Sequence, residues 1–118
     1  MKDSLYTVVS QEERIFSIKL NPDHVIYKAH FPEQPITPGV CILQIGLELL
    51  TEELKQTLRL SKVHNIKFVS VLSPVADPQV NFQFTQINPL DDKQIKAQIS
   101  VLKDDLVFAK ISLTAERQ

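Results

Sequence analysis

Only one part of this 118-residue chain carries helical periodicity, and the segments on both sides of it alternate like strands. From Val40 onward, the apolar residues Val40, Ile42, Leu43, Ile45, Leu47, Leu49, Leu50 and Leu54 cover most of a helical circumference. A helix of that kind must be buried on most sides. Its polar members, Gln44, Glu48, Glu52 and Lys55, recur at steps of four and three and share one stripe, and the pattern ends near Lys55. At the front, Thr37 is the predicted N-cap and Pro38 suits the first helical position, where its missing N–H costs nothing.

The flanking segments say what encloses the helix. Tyr6-Thr7-Val8-Val9 and Ile15-Phe16-Ser17-Ile18-Lys19-Leu20 read as two strands joined by the polar turn Gln11-Glu12-Glu13-Arg14. Asn21-Pro22-Asp23 breaks the second strand, and Val25-Ile26-Tyr27 reads as a short edge strand leading to His30. Residues 63–72 read as one strand closed by Pro74 and Pro78. Val80, Phe82 and Phe84 alternate with polar residues in the next. Ile95, Ala97, Ile99 and Val101 do so after the turn Pro89-Leu90-Asp91-Asp92, and Val107, Ala109, Ile111 and Leu113 after Lys103-Asp104-Asp105. Residues 115–118 read as a frayed tail. About six strands in an antiparallel meander, wrapped around one long helix, make an α+β two-layer domain. The whole chain, residues 1–118, forms that single domain, since this length holds one core and no second.

Several classes of function drop out on composition. A net charge of −1 gives no electrostatic reason to expect nucleic acid or an anionic membrane as partner. The densest apolar run, residues 40–50, is interrupted by Gln44 and Glu48 and falls short of the roughly 20 residues of a bilayer span. Met1-Lys2-Asp3-Ser4 leads into no apolar signal region, and one cysteine, Cys41, excludes an internal disulfide framework, so the expected location is cytoplasmic. His24, His30 and His64 sit in separate segments without metal-ligand spacing, so no metal site is expected. Two glycines are too few for a phosphate-cradling loop. Cys41, on the apolar helix, reads as a buried, inert thiol.

The chemistry gathers in His30-Phe31-Pro32-Glu33-Gln34-Pro35-Ile36-Thr37-Pro38-Gly39-Val40. A loop histidine often does no more than hydrogen-bond the backbone. Here Phe31 lowers the local polarity, which favours a neutral imidazole available as a base. Pro32, Pro35 and Pro38 restrict the loop, so the ring can be held in place before a ligand arrives. Gly39 falls in the first helical turn, where backbone N–H groups are unpaired and the helix dipole favours negative charge. Its N–H can stabilise a developing oxyanion, and the missing side chain admits a ligand closely. A base and an oxyanion donor are the minimum for removing a proton next to a carbonyl.

The run His30-Phe31-Pro32-x-x-Pro35-x-x-Pro38-Gly39-Val40 resembles the signature of the 3-hydroxyacyl-acyl-carrier-protein dehydratases of fatty acid synthesis, enzymes of the hot-dog fold. Tyr27-Lys28-Ala29 before the histidine, and Ile66-Lys67-Phe68 followed by Pro74, extend the likeness over roughly residues 6–116. The resemblance implies His30 as catalytic base and the Ile36 carbonyl as the acceptor that fixes its tautomer. It implies the Gly39 N–H as oxyanion donor, with Phe31, Pro38 and Val40 lining the substrate. It also implies a 3-hydroxyacyl carrier protein as partner, no cofactor, and a homodimer pairing sheets edge to edge, so that one subunit's histidine meets the other's helix.

One position departs from that pattern. The family carries Glu or Asp fourteen residues after the histidine, and here that residue is Gln44. An amide can orient a hydroxyl but cannot deliver a proton as a carboxylic acid does, and losing general acid catalysis typically costs about 10²–10⁴-fold. Glu48, one helical turn on, is a candidate substitute acid and equally a plain continuation of the polar stripe. The leading expectation is a dehydratase-like lyase producing trans-2-enoyl thioesters. The alternatives are a non-catalytic subunit paired in a heterodimer with an acid-bearing hot-dog partner, and an acyl thioesterase.

Overall fold

The computed structural model describes residues 1–29 and 33–118. The elements run β1 (Tyr6–Glu12), β2 (Ile15–Leu20), α1 (Val25–Ala29), α2 (Gly39–Leu54), β3 (Leu58–Phe68), β4 (Gln79–Pro89), β5 (Gln94–Lys103) and β6 (Leu106–Arg117). The six strands form one sheet in the order β1-β2-β4-β5-β6-β3, every neighbouring pair antiparallel. Strands β4, β5 and β6 form the expected meander. The strand that follows the helix crosses to the far side and pairs with β6 instead.

Alternation decides which face closes on the helix. In register, Phe16 meets Phe82, Ile18 meets Val80, Phe84 meets Ile99, and Ile99 meets Ile111. All of these are buried, as are Cys41, Ile42, Ile45, Gly46, Leu49 and Leu50 of α2. Each fully buried large aliphatic or aromatic side chain contributes roughly 1.5–3 kcal/mol. The Phe16 and Phe84 rings meet edge to face at 5.9 Å across β2 and β4. The helix ends as expected, with Lys55 in the left-handed conformation (φ 53) and its N–H donating to the Thr51 carbonyl.

Four expectations are corrected. Residues 25–29 form a helical turn, α1, rather than an edge strand. Local side-chain bonds override the β-branched residues: Asn21 Oδ1 accepts the Asp23 N–H at 3.0 Å and His24 Nδ1 accepts the Ile26 N–H at 3.0 Å. The cap of α2 is Pro38 (φ −61, ψ 145), with no side-chain hydrogen bond, because the Thr37 hydroxyl is engaged with the Tyr27 hydroxyl at 2.9 Å. Strand β3 covers residues 58–68 instead of 63–72. Leu58 and Leu60 pair with Arg117 and Ala115, and beyond Phe68 both Val69 and Ser70 donate to the Phe108 carbonyl, which takes the chain out of the ladder. Finally, residues 115–117 are sheet and not a frayed tail. Ala115 is fully buried, and Arg117 donates from Nε to Gln56 at 2.7 Å and from a terminal nitrogen to the Asp92 carbonyl at 2.8 Å. None of the helices among the described residues is long and apolar enough to cross a membrane.

Candidate active site

The front of α2 is built by three segments that meet there. Residues 35–38 approach it, α1 lies beside them, and residues 69–72 cross in front after leaving the sheet. Thr37 ties the three together: its N–H donates to the Leu72 carbonyl at 2.8 Å, and its hydroxyl is bonded to Tyr27 of α1. Thr37, Tyr27 and Leu72 are buried, and burial pushes the Tyr27 phenol pKa above its ordinary value. Pro38 gives its carbonyl to the N–H groups of Cys41 and Ile42 at 3.0 and 3.2 Å, which starts the helix. The earlier N–H groups, Gly39 first among them, have no intrahelical partner by geometry.

A cleft of about 270 Å³ opens at this point. Ile36, Thr37, Gly39 and Ile42 form one wall, and Phe68 with Val69, Ser70, Val71 and Leu72 forms the other. The Phe68 ring lies over Gly39, so a Cβ on residue 39 would sit 2.5 Å from the ring's Cζ. Glycine is the residue that fits. Phe68, Val69 and Val71 each remain about half exposed, leaving an apolar rim in the single chain. The cleft therefore joins apolar walls, suited to an aliphatic chain, to a helix N-terminus suited to a polarised oxygen.

The structure brings together some of the expected residues and separates others. Ile36 and Gly39 line one cleft, with Pro38 between them as the cap of α2. Val40 faces solvent at 73 % exposure, outside the cleft of the single chain. The assignments to His30 and Phe31 lie outside the described residues. Gln44 and Glu48 stand on the polar stripe, about 7.5 and 13.5 Å of helical rise beyond Gly39. They are bonded to each other, Gln44 Nε2 donating to Glu48 Oε2 at 3.0 Å. The other Glu48 oxygen accepts from the Tyr6 hydroxyl at 2.9 Å and from the Lys2 backbone N–H at 3.2 Å. One turn on, the Lys2 ammonium is paired with Glu52. Burial, then the bond to Glu48, pushes the Tyr6 phenol pKa well up. Cys41 is buried and unbridged, and burial raises its pKa, so the thiol stays protonated. No cluster of metal-ligating side chains occurs among the described residues.

Sequence reasoning had not assigned the second cleft wall or Tyr6 to the site. The signal for the wall was the run Phe68-Val69-Ser70-Val71-Leu72, apolar but for Ser70, where strict alternation lapses. Tyr6 carried no local signal, since its partner lies 42 residues away.

One long helix enclosed by an antiparallel six-stranded sheet, with a cleft at the helix N-terminus, is a hot-dog-fold domain. Within that class, the model of the ApeI-like family, described as ApeI dehydratase, matches residues 7–113, and the chain belongs to that family. The resemblance to the carrier-protein dehydratases of fatty acid synthesis thus holds at the level of a hot-dog dehydratase family. No curated protein matches the chain in sequence. Among solved structures, the dehydratase heterocomplex ApeI:P from Xenorhabdus doucetiae is similar at 18 % identity and a TM-score of 0.67, over 95 % of this chain and 98 % of that one. An uncharacterized protein from Erwinia carotovora subsp. atroseptica is similar at 21 % identity and a TM-score of 0.57, over 92 % and 89 % of the two chains. A thioesterase enzyme from Staphylococcus aureus subsp. aureus Mu50 is similar at 12 % identity and a TM-score of 0.67, over 96 % and 93 %. At these identities the likeness carries the fold.

Proposed function

We propose that the chain is a dehydratase acting on 3-hydroxyacyl thioesters borne by an acyl carrier protein, in fatty acid or related acyl-chain synthesis. The observation that carries this reading is an apolar cleft lined by Gly39 at the N-terminus of α2, in a member of a dehydratase family. The thioester oxygen rests on that N–H, which stabilises the enolate-like charge as the C2 proton leaves. His30, by the motif, takes the proton as a neutral base whose tautomer is set by the Ile36 carbonyl. By the motif, Phe31 and Pro38 complete the substrate lining, and the solvent-facing Val40 joins it only where a second copy packs against it. The C3–O bond then breaks, the C2–C3 double bond forms, and the hydroxyl departs as water with the proton that His30 took from C2, oriented by Gln44 with Glu48 or a water molecule beside it. Elimination of water exchanges no electrons and calls for no cofactor. The scheme includes a second copy along the β3 edge, a reading supported by the half-exposed Phe68, Val69 and Val71 at that side of the sheet.

The test is a product assay with purified protein and 3-hydroxyacyl carrier protein. Appearance of the trans-2-enoyl thioester, abolished by His30→Ala, supports the reading; no enoyl product from either protein sinks it. Free acid in place of enoyl product would mark a thioesterase.

Gln44 at the acid position favours a second reading, in which the chain is the binding subunit of a heterodimer with an acid-bearing hot-dog partner. Turnover that appears only after mixing with such a partner would distinguish it. Its failure would be shown by full activity of the chain alone.

A further inference from the structure

The contacts around Glu48 determine which end of the Gln44 amide faces outward. An ionised carboxylate has no proton to give, so any neighbour bonded to it must donate. Glu48 receives three such donors: the Tyr6 hydroxyl, the Lys2 backbone N–H and the Gln44 side-chain nitrogen. Two of the three are fixed by the fold. The Tyr6 ring is buried in the inner face of β1 in register with Leu20, and Lys2 is bridged to Tyr6 through the backbone. The charged groups on the same side are the Lys2 ammonium and Glu52, which pair with each other, and the Met1 ammonium, 3.7 Å from Glu48 Oε2. Glu48 is thus a fixed acceptor, and the exposed Gln44 turns its nitrogen toward it.

We propose that Tyr6 and Glu48 are positioning residues that hold the Gln44 amide with its nitrogen inward and its carbonyl oxygen outward. Position 44 then offers a ligand a hydrogen-bond acceptor in place of an acid. The ligand chemistry that fits an outward carbonyl is a hydroxyl donor, such as the 3-hydroxyl of an acyl chain. The inference rests on the reading of residue 44 as the group that meets the departing hydroxyl. It assigns Tyr6 a part in the site although it lies on the first strand, far from the loop in sequence. Glu48 acts through Gln44 and does not deliver a proton itself.

Two measurements test it on the full chain. The first compares the side-chain amide signals of Gln44 in ¹⁵N-labelled wild type and Glu48→Gln. Removing the carboxylate acceptor should shift those signals and speed their exchange with solvent. The second compares binding of two non-eliminable pantetheine amides, one 3-hydroxyacyl and one lacking the hydroxyl. Wild type should prefer the hydroxylated compound about tenfold, the value of one well-placed hydrogen bond. Glu48→Gln and Gln44→Leu should abolish the preference, and Tyr6→Phe, which keeps the ring, should reduce it several-fold. Thermal melting confirms that each variant is folded. A Gln44 signal blind to Glu48, or a preference unchanged in Glu48→Gln, overturns the proposal. If both measurements come out as expected and no enoyl product ever forms, the dehydratase reading fails while the positioning role stands. If enoyl product forms and both measurements fail, the reverse holds.

Discussion

The two glycines of the chain stand seven residues apart on one helix and serve opposite ends of the design. Neither has a positive φ, so both are present for space and not for backbone freedom. At Gly39 the missing side chain makes room for Phe68, a half-exposed ring at the mouth of a cleft. At Gly46 it makes room for Ile99, whose terminal methyl would lie 3.0 Å from an added Cβ inside the closed core. The first keeps a surface open, and the second lets sheet and helix close. The two tyrosines divide the same way, Tyr27 bonded to Thr37 beside the cleft and Tyr6 bonded to Glu48 on the polar stripe.

The contrast predicts that the middle of α2 governs stability and its front governs turnover. Leu49→Ala, at a fully buried position, should cost about 3 kcal/mol in denaturant unfolding. A loss below about 1 kcal/mol would mean that the core is not where the contrast puts it. Gly39→Ala should cost less, about 1–2 kcal/mol, because the half-exposed Phe68 can swing outward. Under the proposed function, the same change should lower enoyl production about 100-fold by filling the cleft beside the proposed oxyanion donor. Adding Phe68→Ala should return the lost stability, as urea titration can show. Gly46→Ala should lie within about 1 kcal/mol of wild type, since the gain in helix propensity offsets the crowding of Ile99. Pairing it with Ile99→Val should give a double variant more stable than the sum of the single changes predicts. Unfolding by Gly46→Ala with no effect of Gly39→Ala would reverse the whole comparison.

The smallest effect expected is alkaline. Both phenols are held above their ordinary value of 10.0, so the unfolded chain ionises first. The stability they contribute is complete below that value and is lost as pH rises from it toward the folded values. Tyr6→Phe and Tyr27→Phe should each flatten part of that fall, read as melting temperature against pH.

Sequence patterns carried the enclosing sheet because alternation is local: each of the later strands shows its buried face within ten residues or so. They pointed to the front of α2, where Ile36 and Gly39 line the cleft, because the prolines and Gly39 form a dense, specific motif. Two features escaped because their bonds join distant residues, and α1 escaped because short-range side-chain bonds from Asn21 and His24 outweigh its β-leaning composition. The second cleft wall hangs on a bond between Thr37 and Leu72. The end of β6 is pinned by Gln56 and Asp92, although the last four residues look polar enough to fray. Hydrophobic period has no access to such pairings.

The sheet order has a consequence for how the molecule is assembled over time. Strand β3 emerges directly after the helix, yet its sole neighbour in the sheet is β6, the last strand to be made. Until β6 arrives, β3 offers bare N–H and C=O groups on both sides, and one flank of the apolar helix has no cover. Closing that gap requires contacts between residues up to 59 positions apart, such as Leu58 with Arg117, and pairings so distant form slowly. The nascent chain therefore passes through a stage with an open strand edge, when association with another chain competes with its own completion.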